Sequence, residues 1–107
     1  MLKSAAWLYL IIAIITEVAG TTAMKFSVGF THLQPSILIV VFYTFSFLFF
    51  ALSIRQLDLG FAYATWSGLG TLLISGIGIA VFNEPVTAVK VVSLLFIIIG
   101  VMGLKEP

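Results

Sequence analysis

Cysteine is absent from the 107-residue chain, histidine occurs once and proline three times, and charge is scarce, with five Lys plus Arg set against four Asp plus Glu. Without cysteine there is no disulfide, no thiolate nucleophile and no iron–sulfur cluster to consider. A net charge of +1 is too small to draw an anionic partner by a long-range field, so a nucleic-acid binder working through a basic surface is excluded. Charged residues make up 8% of the chain, where a soluble domain carries about a quarter. That deficit excludes both a water-soluble fold and a disordered chain. What is present is apolar: 62% hydrophobic residues and a mean hydropathy of +1.26, a composition that only a bilayer dissolves.

A membrane-crossing helix needs about 20 apolar residues to cover about 30 Å. Four such runs use nearly the whole chain, about residues 5–24, 35–53, 59–82 and 86–104. The connections Lys25 to Gln34, Ile54 to Asp58 and Asn83 to Pro85 are short, which predicts antiparallel hairpins, with Pro35 and Pro85 in the first turns of their helices. Lys3 ahead of an apolar run has the look of a signal peptide. A carboxylate inside that run, the lack of a small-residue cleavage pattern and three further spans argue against it. Lys3, Arg55 and Lys105 fall on one side of the membrane, Lys25 and Lys90 on the other. So small a bias permits insertion in both orientations, and with it a dimer of two oppositely oriented copies.

Four helices each about 10 Å thick are expected to form a closed, solid bundle, so a ligand cavity would require at least two subunits. Small residues suited to close helix contact recur in span three (Gly68, Gly70, Gly76, Gly78) and span four (Ser93, Gly100, Gly103). Gly68 and Gly70, in mid-helix, also make a bend inexpensive.

Glu17 carries the most information. A charge at the centre of an isolated membrane helix costs roughly 2.5 to 3.5 kcal/mol on insertion scales. The seven Leu, Ile and Val residues of span one contribute about 0.3 to 0.6 kcal/mol each, so the two terms nearly cancel. Glu17 lies twelve residues from one end of the span and seven from the other, too far to reach water easily. Lys25 is two turns away and Lys90 opens another span, so it has no intramembrane cation for a partner. An ionisable group so placed marks an ion or proton pathway; its bland alternative is a permanently protonated acid bonded to a neighbouring helix. A carboxylate withdrawn from water is satisfied by a proton or by an organic cation, not by both. Exclusion at one site is the logic of antiport, and a second Glu17 across a dimer interface would titrate with the first as a unit.

Helical spacing puts Leu10, Ala13, Ile14, Gly20 and Thr21 on the face of Glu17. In span two, Tyr43, Ser46, Phe47 and Phe50 form one stripe, and in span three Tyr63 and Trp66 lie three apart beside Ser67. Aromatic faces attract cations, and with a carboxylate they suit a lipophilic one; packing is the other reading of such a stripe. A hydrolase fails on inventory: His32 sits in a loop, there is no Cys, and the membrane holds no second acid or base. No metal or cofactor is called for.

The run Glu17-Val18-Ala19-Gly20-Thr21-Thr22-Ala23-Met24-Lys25-Phe26-Ser27, followed by Gly29-Phe30-Thr31 and Pro35-Ser36, resembles the first helix and loop of the small multidrug resistance transporters. Gly60-Phe61-Ala62-Tyr63-Ala64-Thr65-Trp66-Ser67-Gly68-Leu69-Gly70 resembles that family's third-helix signature. The resemblance implies an all-α integral membrane protein, four transmembrane helices per subunit, working as an antiparallel, dual-topology homodimer of eight helices in a bacterial inner membrane. It implies export of lipophilic cations in exchange for protons, with Glu17 as the shared site. Tyr63 and Trp66 would line the cavity, joined by Tyr43, Ser46, Phe47, Leu10, Ala13, Thr21, Ser67 and Trp7. By it, Trp7 marks the first-helix entrance, Gly68 and Gly70 the third-helix bend, and Ser93 and Gly100 the fourth-helix dimer contact, where EmrE-like members carry two glycines.

Guanidinium exporters of the family carry a Trp one turn after the glutamate, where this chain has Gly20, and a polyamine-exporting branch has an acid at the position of Ser67. Both point to the quaternary-ammonium (Qac, EmrE-like) branch, although Asn83-Glu84-Pro85 is closer to the guanidinium-exporter loop. The alternatives kept are a guanidinium or polyamine exporter of the same family, and a non-transporting structural subunit that would tolerate Glu17→Gln.

Overall fold

The structure, a computed structural model, describes residues 2–105. It is all-helical, with α1 (Leu2–Phe26), α2 (Leu33–Ser53), α3 (Leu59–Val81) and α4 (Ala88–Gly103). α1 starts three residues earlier than the apolar run suggests, since no Gly or Pro precedes Gly20 to interrupt it. α1, α2 and α3 are long and apolar enough to cross a membrane.

α4 is shorter than the expected 86–104. Its 16 residues rise only about 24 Å. Residues 83–87 form an irregular connector, with Asn83 in the left-handed region at φ 57°. The helix begins where the Thr87 side chain accepts a hydrogen bond from the Lys90 amide at 3.1 Å. Pro85 therefore lies in the connector and not in a first turn; its carbonyl accepts from Lys90 Nζ at 2.7 Å. Pro35 does occupy the first turn of α2. Asp58 caps α3 by accepting from the Phe61 amide at 3.1 Å. Between α1 and α2, the fully buried Ser27 donates to the Met24 carbonyl and accepts from the Phe30 amide. Those bonds hold Val28, Gly29 and Phe30 in a left-handed turn.

One stripe of α1, Ala6, Leu10, Ile14 and Val18, is the centre of the core, with Leu57 and Ala62 packed on it. α1 touches both α2 and α3, whereas α4 leans on α3 and buries none of its own residues. The result is a plate of 42 × 35 × 17 Å, in place of the closed four-helix bundle expected. Its surface is apolar to a degree only lipid or another apolar surface accommodates: Val89 is 76% exposed and Phe96 68%. Because the plate does not close, a single chain already holds an open cavity on one face.

Candidate functional site

α1 supplies the carboxylate. Glu17 is half-buried, and its Oε2 accepts a hydrogen bond from Thr21 Oγ1, one turn on, at 2.6 Å. Thr21 Oγ1 is also 2.5 Å from the Tyr43 hydroxyl of α2. A threonine hydroxyl has one hydrogen, so when Thr21 donates to the carboxylate, Tyr43 donates to Thr21. If Glu17 takes up a proton, the chain can reverse, with Glu17 donating to Thr21 and Thr21 to Tyr43. The opposite flank of the carboxylate rests on α3 at Gly70, where a Cβ would lie 2.5 Å from Glu17 Oε1. Gly20 plays a matching part toward α2: a Cβ there would lie 2.8 and 2.9 Å from Cδ1 and Cε1 of Tyr43.

α2 and α3 supply the aromatics. Trp66 stacks on Phe50 with centroids 4.5 Å apart and planes inclined by 24°. It meets Phe47 at 5.6 Å and Tyr63 at 5.8 Å edge-on. The indole is tied to both other helices, donating from Nε1 to Ser46 Oγ at 3.2 Å and to the Ala13 carbonyl at 3.3 Å. Ser46 itself donates to that carbonyl at 2.7 Å. Glu17, Tyr43, Phe47, Tyr63, Trp66 and Ser67 line a cavity of about 330 Å³. Carboxylate oxygens at one part of its wall and ring faces at the rest suit a lipophilic monocation, held by the carboxylate and by π-faces together.

Of the residues expected to line the site, six do so. Thr21 stands behind the carboxylate as its donor. Leu10 and Ala13 are fully buried in the core; Ala13 contributes only its carbonyl, and Ser46 is a buried bridge rather than a wall. Trp7 packs edge-to-face on Phe61, 5.6 Å away, some ten residues and about 15 Å along α1 from Glu17. Gly68 is a point of close approach to α4, where a Cβ would lie 2.8 Å from Val101 Cγ2 and 3.2 Å from Ile97 Cγ2. α3 is continuous helix through both Gly68 and Gly70. Ser93 and Gly100 are exposed on α4. Phe50, which stacks on Trp66, is a further aromatic of the site; its place one turn beyond Ser46 and three residues beyond Phe47 is the sequence signal for it.

Fold and site together define a helical membrane protein with a carboxylate-and-aromatic cavity opening on one face of a thin plate. The sequence pattern of the family described as Small Multidrug Resistance protein matches residues 5–97, and the chain belongs to that family. It is 47% identical over 99 residues to the uncharacterized membrane protein YvaE of Bacillus subtilis strain 168, covering 92% of this chain and 83% of YvaE. It is 42% identical to the quaternary ammonium compound-resistance protein QacG of Staphylococcus sp. strain ST94, over 92% of both chains. With the multidrug resistance protein EbrB of Bacillus subtilis strain 168 it shares 40% identity, over 92% of this chain and 85% of EbrB.

Proposed function

We propose that the protein is a secondary transporter for multidrug efflux, exporting hydrophobic and quaternary-ammonium cations in exchange for protons across the bacterial inner membrane. The observation that carries this reading is the cavity of about 330 Å³ in which the Glu17 carboxylate faces Tyr43, Phe47, Tyr63 and Trp66. A lipophilic cation entering it neutralises the carboxylate and displaces a proton; a proton arriving from the other side displaces the cation. Alternation between two rocked states of an antiparallel homodimer of eight helices would couple the two fluxes. The plate's thinness supports a second copy, since one chain covers the cavity on one side only.

The loop Asn83-Glu84-Pro85 favours a second reading, guanidinium export. Against it stands Gly20: with no room for even a Cβ beside Tyr43, a Trp at that position requires Tyr43 to leave. Currents evoked in proteoliposomes by tetraphenylphosphonium and by guanidinium, with Glu17→Gln as the matched control, separate the readings. Tetraphenylphosphonium currents lost in the variant are the expected result. Currents for guanidinium alone would assign the other branch, and silence to both would overturn transport by this chain on its own.

A further inference from the structure

A second cavity, of about 350 Å³, lies between the C-terminal halves of α1 and α3. Thr21 is in its wall, the same residue whose hydroxyl bonds Glu17 Oε2. Ser75 lines it in the middle, and Lys25, Phe82 and Glu84 form its outer end. The Lys25 ammonium sits over the Phe82 ring, 5.8 Å from the centroid. Glu84 is turned back toward α3 by the left-handed Asn83 and by its own amide, which donates to the Gly78 carbonyl at 3.0 Å. Its carboxylate lies against bare Gly78 backbone, where a Cβ would overlap it. Two carboxylates therefore rest on glycines of α3, Glu17 on Gly70 and Glu84 on Gly78, eight residues or about 12 Å apart along the helix.

A lipophilic cation in the aromatic cavity blocks that side of Glu17 to water, so a proton leaving Glu17 requires another way out. A polar-ended cavity of this size has room for roughly ten waters at about 30 Å³ each. We propose that it is a hydrated proton path to Glu17, with Glu84 passing protons between solution and the path and Thr21 handing them to Glu17. In the inward step a protonated Glu84 gives its proton to the adjacent water, and the last water gives one to Thr21 Oγ1 as the Thr21 hydrogen moves to Glu17 Oε2. One proton is transferred and Thr21 ends as it began. The relay rests on the reading of Glu17 as the proton and cation site; the hydration of the cavity does not.

The chain has no cysteine, so single cysteines report cleanly. A thiolate forms only where water reaches it. Ser75→Cys in the proteoliposome-reconstituted protein is expected to react with a charged methanethiosulfonate at least about tenfold faster than Gly76→Cys, its neighbour on the open face of α3. Equal rates would overturn the hydrated path. Proton release on mixing with tetraphenylphosphonium, followed with a pH dye, is expected to slow about fivefold or more in Glu84→Gln and in the cavity-filling Ser75→Leu. The number of protons released and the cation Kd should stay as in the unsubstituted protein. An unchanged rate in both variants would overturn the relay. Absence of any proton release from the unsubstituted protein would overturn the relay and the antiport reading together, while the cysteine rates still decide whether the cavity is wet.

Discussion

At the scale of single residues, the site is governed by what stands beside Glu17. Thr21 gives the carboxylate its one hydrogen bond among the described residues, at 2.6 Å, and such a bond to a charged group contributes about 1.5 to 3 kcal/mol. Part of that is shared with the bound cation state, so Thr21→Val is expected to weaken tetraphenylphosphonium binding by about 1 kcal/mol, roughly fivefold, in titration calorimetry. Thr21→Ser, which keeps the hydroxyl, should restore it. Gly20 acts through Tyr43. Overpacking of this kind costs about 1 to 3 kcal/mol, and Gly20→Ala should lower the thermal unfolding temperature in detergent as well as cation affinity. If Gly20→Ala were neutral in both measurements, the tight Gly20–Tyr43 contact would have no bearing on the site.

At the scale of helices, the aromatic wall is held by one indole tied to two neighbours. Trp66 bonds to Ser46 on α2 and to the Ala13 carbonyl on α1, so it fixes the mutual position of the three helices that line the cavity. Gly68 does the same for α3 and α4 through shape alone. Gly68→Ala is expected to push α4 outward and to destabilise the fold by about 1 to 3 kcal/mol, with Val101→Ala in the same chain recovering most of the loss. A double-mutant cycle on thermal unfolding checks this; additivity of the two changes would remove the contact from consideration.

The first three helices were legible because apolar runs of the right length are bounded by loop residues and charge. Glu17 was legible because it breaks such a run. The helical face of Glu17 was also readable, but periodicity says which residues share a face and not which neighbour covers it. Leu10 and Ala13 therefore looked like cavity wall when α2 and α3 bury them. The short α4 is not legible for a similar reason. Val86 and Thr87 are as compatible with an apolar run as with a connector, and only the Thr87 cap decides where the helix starts. Gly68 and Gly70 read as a bend; in three dimensions their missing Cβ atoms also make room for α4 and for the Glu17 carboxylate.

At the scale of the whole molecule, the chain is a plate 17 Å thick with a cavity open on one face and a fourth helix none of whose own residues is buried. The near-equal division of Lys and Arg between its two sides predicts that both orientations coexist in the membrane. Single cysteines at Gln56 and at His32, in loops on opposite sides, should each be labelled to about half by an impermeant reagent applied from one side of intact vesicles. Full labelling of one and none of the other would rule out the antiparallel pair.

Competition between proton and cation for Glu17 is read out by the Kd of tetraphenylphosphonium measured as solution pH is varied. Competition predicts a Kd that rises on acidification, by up to about tenfold per pH unit for each proton displaced, with saturable binding lost in Glu17→Gln. A Kd independent of pH, or saturable binding that survives Glu17→Gln, would contradict it.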